Sequence, residues 1–420
     1  MHKVFCLSNG IRVVTETTDY VKSVSAGVWV GVGSVNETAE NNGISHFIEH
    51  MLFKGTHTRS AREIAQCMDS VGGQLNAVTA KEYTCYYTRT LTEYLKTALE
   101  LLADMICNST FESENIELER KVILEEISMG EDEPENLIYD IVEAEMWSGD
   151  ALGFSVTGSE RSVSGISRDM LLDYFHKNYV AENIVISIAG NFDEDEAVEI
   201  LEKNFGGIPK GGVEQKESEK IPQNRKLKIV KKDFEQCQLC IGFDGYSRRD
   251  ARHYDLAVVN ALFGGNMSSR LFQKVREESG LAYSVYSELS TYSQNGSLRI
   301  YAGLSPENIR QVLEIISNEI RLLKRNKLTK EEIETAKTQF KAALVMDSEG
   351  VAERECANGK TLLRDGRVKT IDDAIALIDG ITPEGVAEAI DFVFDNKKLT
   401  IAVLGRFDGD GQELMDVMEF

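Results

Sequence analysis

Two histidines and a glutamate stand out by their spacing in the stretch His46-Phe-Ile-Glu49-His50. On a helix, positions i and i+4 share a face one turn apart, so both imidazoles can address a single cation with Glu49 beside them. Two neutral imidazoles fill two of the roughly four positions around a catalytic zinc; a third protein ligand is needed, and the last position stays open. The stretch itself cannot supply that third ligand. Its best source is Ser113-Glu-Asn-Ile-Glu-Leu-Glu-Arg-Lys-Val-Ile-Leu-Glu-Glu-Ile127, a helical pattern that carries Glu119 and, nearly two turns later, Glu126. These two carboxylates share a face, so Glu126 can ligate while Glu119 orients or charges the surroundings. Spacing alone does not choose Glu126 over Glu125. With only six histidines in the chain, an accidental match to the pattern is expected in about one case in a hundred. His2, His57, His176 and His253 have no comparable context and read as structural or exposed.

The elements that must position these residues emerge from an internal repeat. His50-Met-Leu-Phe-Lys-Gly-Thr56 aligns with Asn260-Ala-Leu-Phe-Gly-Gly-Asn266. A strand precedes each segment, at 26–32 and at 238–243. After the first segment come a helix near 61–70, strands near 74–78 and 83–89, and an amphipathic helix over 92–106. After the second come a helix near 269–278, strands near 283–289 and 297–304, and a helix over 306–323. The pattern predicts an α+β fold of two duplicated domains, each a mainly antiparallel sheet flanked by helices. The Gly- and charge-rich run beginning at Gly206 marks a linker. The expected division is therefore 1–208, a linker at 209–225, and 226–420. In the second copy Leu256, Val259 and Asn260 stand opposite His46, Glu49 and His50, so only the first copy can hold a metal.

Composition narrows the class. A length of 420 residues exceeds a single core. A formal net charge of −23 repels a phosphate backbone and argues against nucleic-acid binding. The seven cysteines are odd in number and scattered, which favours reduced thiols and a reducing, cytoplasmic setting. Cys237 and Cys240 form a C-x-x-C, but on a strand residues three apart face opposite sides and no second pair follows, so packing is the better reading. The N-terminus alternates like a strand rather than like a secretion signal, and no run of eighteen apolar residues suggests a membrane span.

The stretch from His46 through Thr56 resembles the signature of the inverted-motif zinc peptidases, the pitrilysin, insulinase and mitochondrial processing peptidase family. The resemblance continues through Gly72-Gly-Gln-Leu-Asn-Ala77, Glu119-Arg-Lys-Val-Ile-Leu-Glu-Glu126 and the segment from Ser268 to Val285, and it covers essentially the whole chain. It implies one Zn2+ per chain, with Glu126 as third ligand to His46 and His50, and Glu119 as the supporting carboxylate. Glu49 becomes the general base toward the attacking water. The resemblance also makes 74–78 an edge strand that takes an extended peptide beside Asn76 and Ala77. Arg276 and Tyr283 match an arginine and tyrosine pair that holds substrate or steadies the oxyanion. Because larger members fuse four such domains, a two-domain chain is expected to work as a homodimer or with a related subunit, Arg276 and Tyr283 acting across to the partner's site. The implied function is a zinc endopeptidase acting on peptides or unfolded segments.

Two alternatives stand beside it. A non-catalytic subunit of the same family would have lost its ligands, whereas here all four residues of the metal site are kept. A small-molecule zinc lyase can carry the same helix, as in the enzyme that cleaves S-ribosylhomocysteine, but it is a short single-unit chain without a duplicate or the segment holding Arg276 and Tyr283.

Overall fold

In a computed structural model that describes residues 2–212, 220–409 and 411–420, two sheets each gather the β-branched runs of one half. The first joins β1 (His2–Cys6), β2 (Arg12–Thr17), β3 (Ser23–Val30), β4 (Gln74–Thr79), β5 (Thr84–Leu91) and β6 (Ile184–Gly190) in the order β1-β2-β6-β3-β5-β4. Only β2 and β6 run parallel. The central strands β3 and β6 are buried almost end to end, as expected where helices cover both faces. β4 alternates exposed and half-buried residues, and among the described residues it pairs only with β5, at the edge of the sheet.

The second sheet joins β7 (Lys226–Val230), β8 (Cys237–Asp244), β9 (Ala282–Thr291), β10 (Gly296–Leu304) and β11 (Leu399–Leu404) in the order β7-β11-β8-β10-β9. Its one parallel pair, β11 with β7, stands where β6 and β2 stand in the first sheet. The fold is thus α+β with a repeated topology, and the first copy gains β1 as an extra edge. Cys237 and Cys240 both lie buried in β8 and are free thiols. Among the described residues no helix is long and apolar enough to cross a membrane.

The units differ from the contiguous division expected at 209–225. The first comprises Met1–Ile127, Phe154–Lys216 and Leu344–Ile371, and the second Ser128–Gly153, Glu217–Ala343 and Asp372–Phe420. Residues 213–219 of the expected linker lie outside the described residues. Each sheet therefore carries a helix from the other half of the sequence. The helix Val351–Asp365 packs on β3, β6 and β2, where Trp29 donates its indole N–H to Glu355 at 2.7 Å and Arg354 pairs with Glu16 at 2.5 Å. Gly27 permits this approach, since a Cβ there would stand 2.3 Å from a Glu355 carboxylate oxygen. Correspondingly, the helix Pro134–Met146 packs on β8 and β11, where Glu143 meets the buried Arg299 and a Cβ on Gly242 would strike the Met146 sulfur. The helix expected at 269–278 is instead a π-helical turn, Phe272–Glu277.

Glu355 is fully enclosed, and burial pushes its carboxyl up to about 8 despite the Trp29 hydrogen bond that pulls it down. A folded-state value above the unfolded one means that the stabilising form is the protonated acid. Stability is complete below the unfolded value near 4.5 and falls as pH rises toward 8, by a few kcal/mol in all. Glu355→Gln keeps the acceptor for Trp29 and removes the titration. Denaturant midpoints of the two proteins are expected to converge near pH 4.5 and separate progressively up to pH 8, the variant being more stable; parallel profiles across that range would remove Glu355 from the account.

Candidate metal centre

The HxxEH stretch lies on α1 (Ile44–Leu52), as its spacing required. The start of α1 is set from a distance: the buried Glu37 carboxylate accepts from the amides of Gly43 at 2.7 Å and Ser45 at 2.9 Å and from the Asn42 side chain at 2.9 Å. This satisfies amides at the start of the helix that have no partner within it. Gly43 has φ of +93°, and a Cβ there would stand 2.7 Å from the Thr157 carbonyl, so the turn into α1 requires glycine. Beyond α1, α2 (Ala61–Asp69) opens on a capping box of Ser60 and Glu63. The intervening loop is tied down by Asp104 of α3 (Leu95–Asn108), which accepts from Thr56, Thr58 and Arg59.

The acidic partners come from α4 (Ser113–Asp132). His46 Nε2 and His50 Nε2 face each other at 3.2 Å, and Glu126 Oε2 lies 3.8 and 3.6 Å from them. Tetrahedral ligands at 2.0–2.1 Å from zinc are separated by about 3.3 Å, so the three atoms are spaced to share one ion. His50 Nδ1 bonds to Glu119 Oε1 at 2.9 Å. A carboxylate only accepts, so that ring donates from Nδ1 and turns Nε2 toward His46. Burial, then the neighbouring His50, pushes the His46 imidazole down to about 3, which keeps it neutral. Among the described residues the buried His46 Nδ1 finds no hydrogen-bond partner. Two imidazole nitrogens and a carboxylate oxygen converging within one ligand shell make a donor set suited to a cation. Among the described residues, His46, His50 and Glu126 are the group so arranged.

Glu49 points from the same helix toward β4, where the Thr79 hydroxyl donates to Glu49 Oε2. Burial pushes the Glu49 carboxyl up from its ordinary range, against Thr79 and His50, which pull it down. Asn76 and Ala77 lie on the same strand, and the Asn76 side-chain oxygen accepts from the Ala77 amide at 2.8 Å. A cavity of about 650 Å³ runs beside β4 and is lined by Phe53, Ile64, Met68, Leu75 and Asn76 among others.

In the second unit, Leu256 and Val259 are buried core and the Asn260 side chain accepts from Ser287 at 2.8 Å, so the counterparts of His46, Glu49 and His50 serve packing there. Arg276, on the π-helical turn, lies 4.8 Å over the ring of Tyr283, which is 75% exposed on β9. These two are brought together with each other. Sequence reasoning missed Thr79 and Glu37. The first follows Asn76 and Ala77 on the strand already singled out; the second carries no motif, because its contacts are to backbone.

Comparison with known proteins agrees with this architecture. Residues 12–160 match the family described as insulinase, peptidase family M16, and residues 165–340 match its inactive domain. An "Uncharacterized zinc protease YmxG" of Bacillus subtilis is 43% identical, over 92% of this chain and 94% of that one. An uncharacterised zinc protease of Mycobacterium leprae is 38% identical, over 96% and 91%. A protease from Helicobacter pylori has the same fold, with a TM-score of 0.91 at 20% identity, over 96% of this chain and 99% of that one. The half that matches the inactive domain includes Leu256, Val259 and Asn260 at the positions of His46, Glu49 and His50. On the strength of both halves and of relatives spanning nearly its full length, this chain belongs to the insulinase family of peptidases, M16.

Proposed function

We propose that this protein is a zinc endopeptidase that hydrolyses peptides or unfolded segments, with His46, His50 and Glu126 as the ligands of one zinc per chain. The observation that carries the reading is the approach of two imidazole nitrogens and a carboxylate oxygen to within one ligand shell, beside a partly buried glutamate. Zinc held there supplies Lewis acidity and lowers the pKa of water. Glu49 is the general base: it takes a proton from the attacking water and returns it to the leaving amine. The Thr79 hydroxyl holds Glu49 toward β4, the edge strand. There an extended peptide adds by backbone hydrogen bonds, a peptide carbonyl replacing Asn76 at the Ala77 amide, and the cavity beside β4 takes a side chain. Glu119 supports the centre through His50.

The same reading gives Arg276 and Tyr283 a substrate-holding role, in a homodimer or a pair with a related chain, and it places the enzyme in a reducing compartment that keeps its seven thiols free. The acidic charge fits peptides rather than nucleic acid as partners.

The test uses the full chain purified without chelators. Metal analysis is expected to give about one zinc per chain, and a mixed peptide library is expected to be cut internally while a folded protein of similar size survives. Release of single terminal residues only would overturn the endopeptidase reading, and cleavage by protein stripped of zinc would overturn the metal mechanism.

A further inference from the structure

The two helices that build the centre offer their groups at matched intervals. From α1 and the residues just past its end come His46, His50 and Lys54, each four residues after the last; from α4 come Glu119 and Glu126. The groups interleave. Glu126 meets the two imidazoles, and Glu119 sits between His50 and Lys54, with Oε1 2.9 Å from His50 Nδ1 and Oε2 2.6 Å from Lys54 Nζ. Both oxygens of Glu119 are engaged, and its side chain is only 6% exposed. Without the Lys54 ammonium, Glu119 Oε2 would lose the donor it has in this enclosed place, and the side chain would swing to find another. That swing takes Oε1 away from His50 Nδ1 and frees the ring to turn.

We propose that Lys54 is a positioning residue of the metal centre: through its ion pair it holds the Glu119 side chain in register with His50, and so keeps His50 Nε2 directed at the metal. The backbone of Lys54 is itself fixed, its amide donating to the Met51 carbonyl at 3.0 Å and its carbonyl accepting from the Asn115 side chain at 3.0 Å. The inference rests on the reading of His46, His50 and Glu126 as zinc ligands. Its sign sets it apart from a plain charge effect. A lysine acting only as a nearby positive charge repels a cation, so its removal would tighten zinc binding. A lysine acting through Glu119 does the opposite.

The experiment is competition for zinc between a chromophoric chelator and the full-length protein, for the wild type, Lys54→Met, Lys54→Arg, Glu119→Gln and the double variant Glu119→Gln/Lys54→Met. Lys54→Met is expected to bind zinc about 10- to 100-fold more weakly, the range seen when a partner of a metal-bound histidine is lost. Lys54→Arg, which keeps the cation, should stay within about fivefold of wild type, and the double variant should bind no more weakly than Glu119→Gln alone. The thermal midpoint of the metal-free protein checks the fold, and Lys54→Gln serves if the methionine variant does not fold. Wild-type or tighter binding by Lys54→Met overturns the proposal, as does a full additional loss on top of Glu119→Gln. A wild-type protein that binds no zinc removes the ligand assignment itself, an outcome distinct from failure of the Lys54 role alone.

Discussion

Glu49→Gln is expected to lower the rate of peptide cleavage by about 10²- to 10⁴-fold, the usual contribution of a positioned general base. That loss corresponds to about 3–5 kcal/mol of transition-state stabilisation. Glutamine has nearly the same shape and still offers an oxygen to the Thr79 hydroxyl, so the bond between α1 and β4 survives. What it cannot do is accept a proton from water. Because Glu49 lies outside the cluster of His46, His50 and Glu126, zinc content should remain at the wild-type level and the loss should fall on kcat, with KM nearly unchanged. Peptide cleavage at close to the wild-type rate would exclude Glu49 as the base. Loss of zinc together with activity would instead move Glu49 into the ligand set and leave the base unassigned.

The parts of this centre that were legible in sequence are those fixed by helical period. His46 and His50 could be paired because one turn of helix brings them together, and Glu119 and Glu126 because seven residues make nearly two turns. The choice between Glu125 and Glu126 was not available from spacing, since neighbouring residues differ by about 100° around the axis and only the rotation of α4 over α1 selects one. The structure turns Glu126 toward the histidines. Thr79 and Glu37 were hidden for different reasons. A threonine at the end of a strand is ordinary β-forming sequence, and the cap on α1 comes from six residues before Gly43, outside the local window in which capping boxes are recognised. The duplication was visible, and the strand order repeats it. The exchange of helices was not, because an amphipathic helix reads the same whichever sheet it covers. Gly27 and Gly242, each in the middle of a buried strand where a side chain would be expected, were the available hints of a close approach.

Glu126→Gln is expected to abolish peptide cleavage and to weaken zinc binding by more than the about 100-fold that marks a group acting from behind a ligand. An uncharged amide offers zinc a far poorer oxygen than a carboxylate, and two imidazoles alone leave the ion held from one helix only. Glu125→Gln is the matched control: that residue is exposed on the same helix and absent from the convergent group, so its zinc affinity and activity should stay within about twofold of wild type. The comparison tests the one choice that spacing left open. It also has a readout independent of catalysis, since a ligand that binds only the folded protein raises its stability. At a thousand times its dissociation constant zinc adds about 4 kcal/mol. Added zinc should therefore raise the unfolding temperature of the wild type and of Glu125→Gln alike, and that of Glu126→Gln much less. If Glu125→Gln lost the zinc-induced shift and Glu126→Gln kept it, the third ligand would be Glu125, and the orientation of α4 over the two histidines would have to differ by nearly a third of a turn.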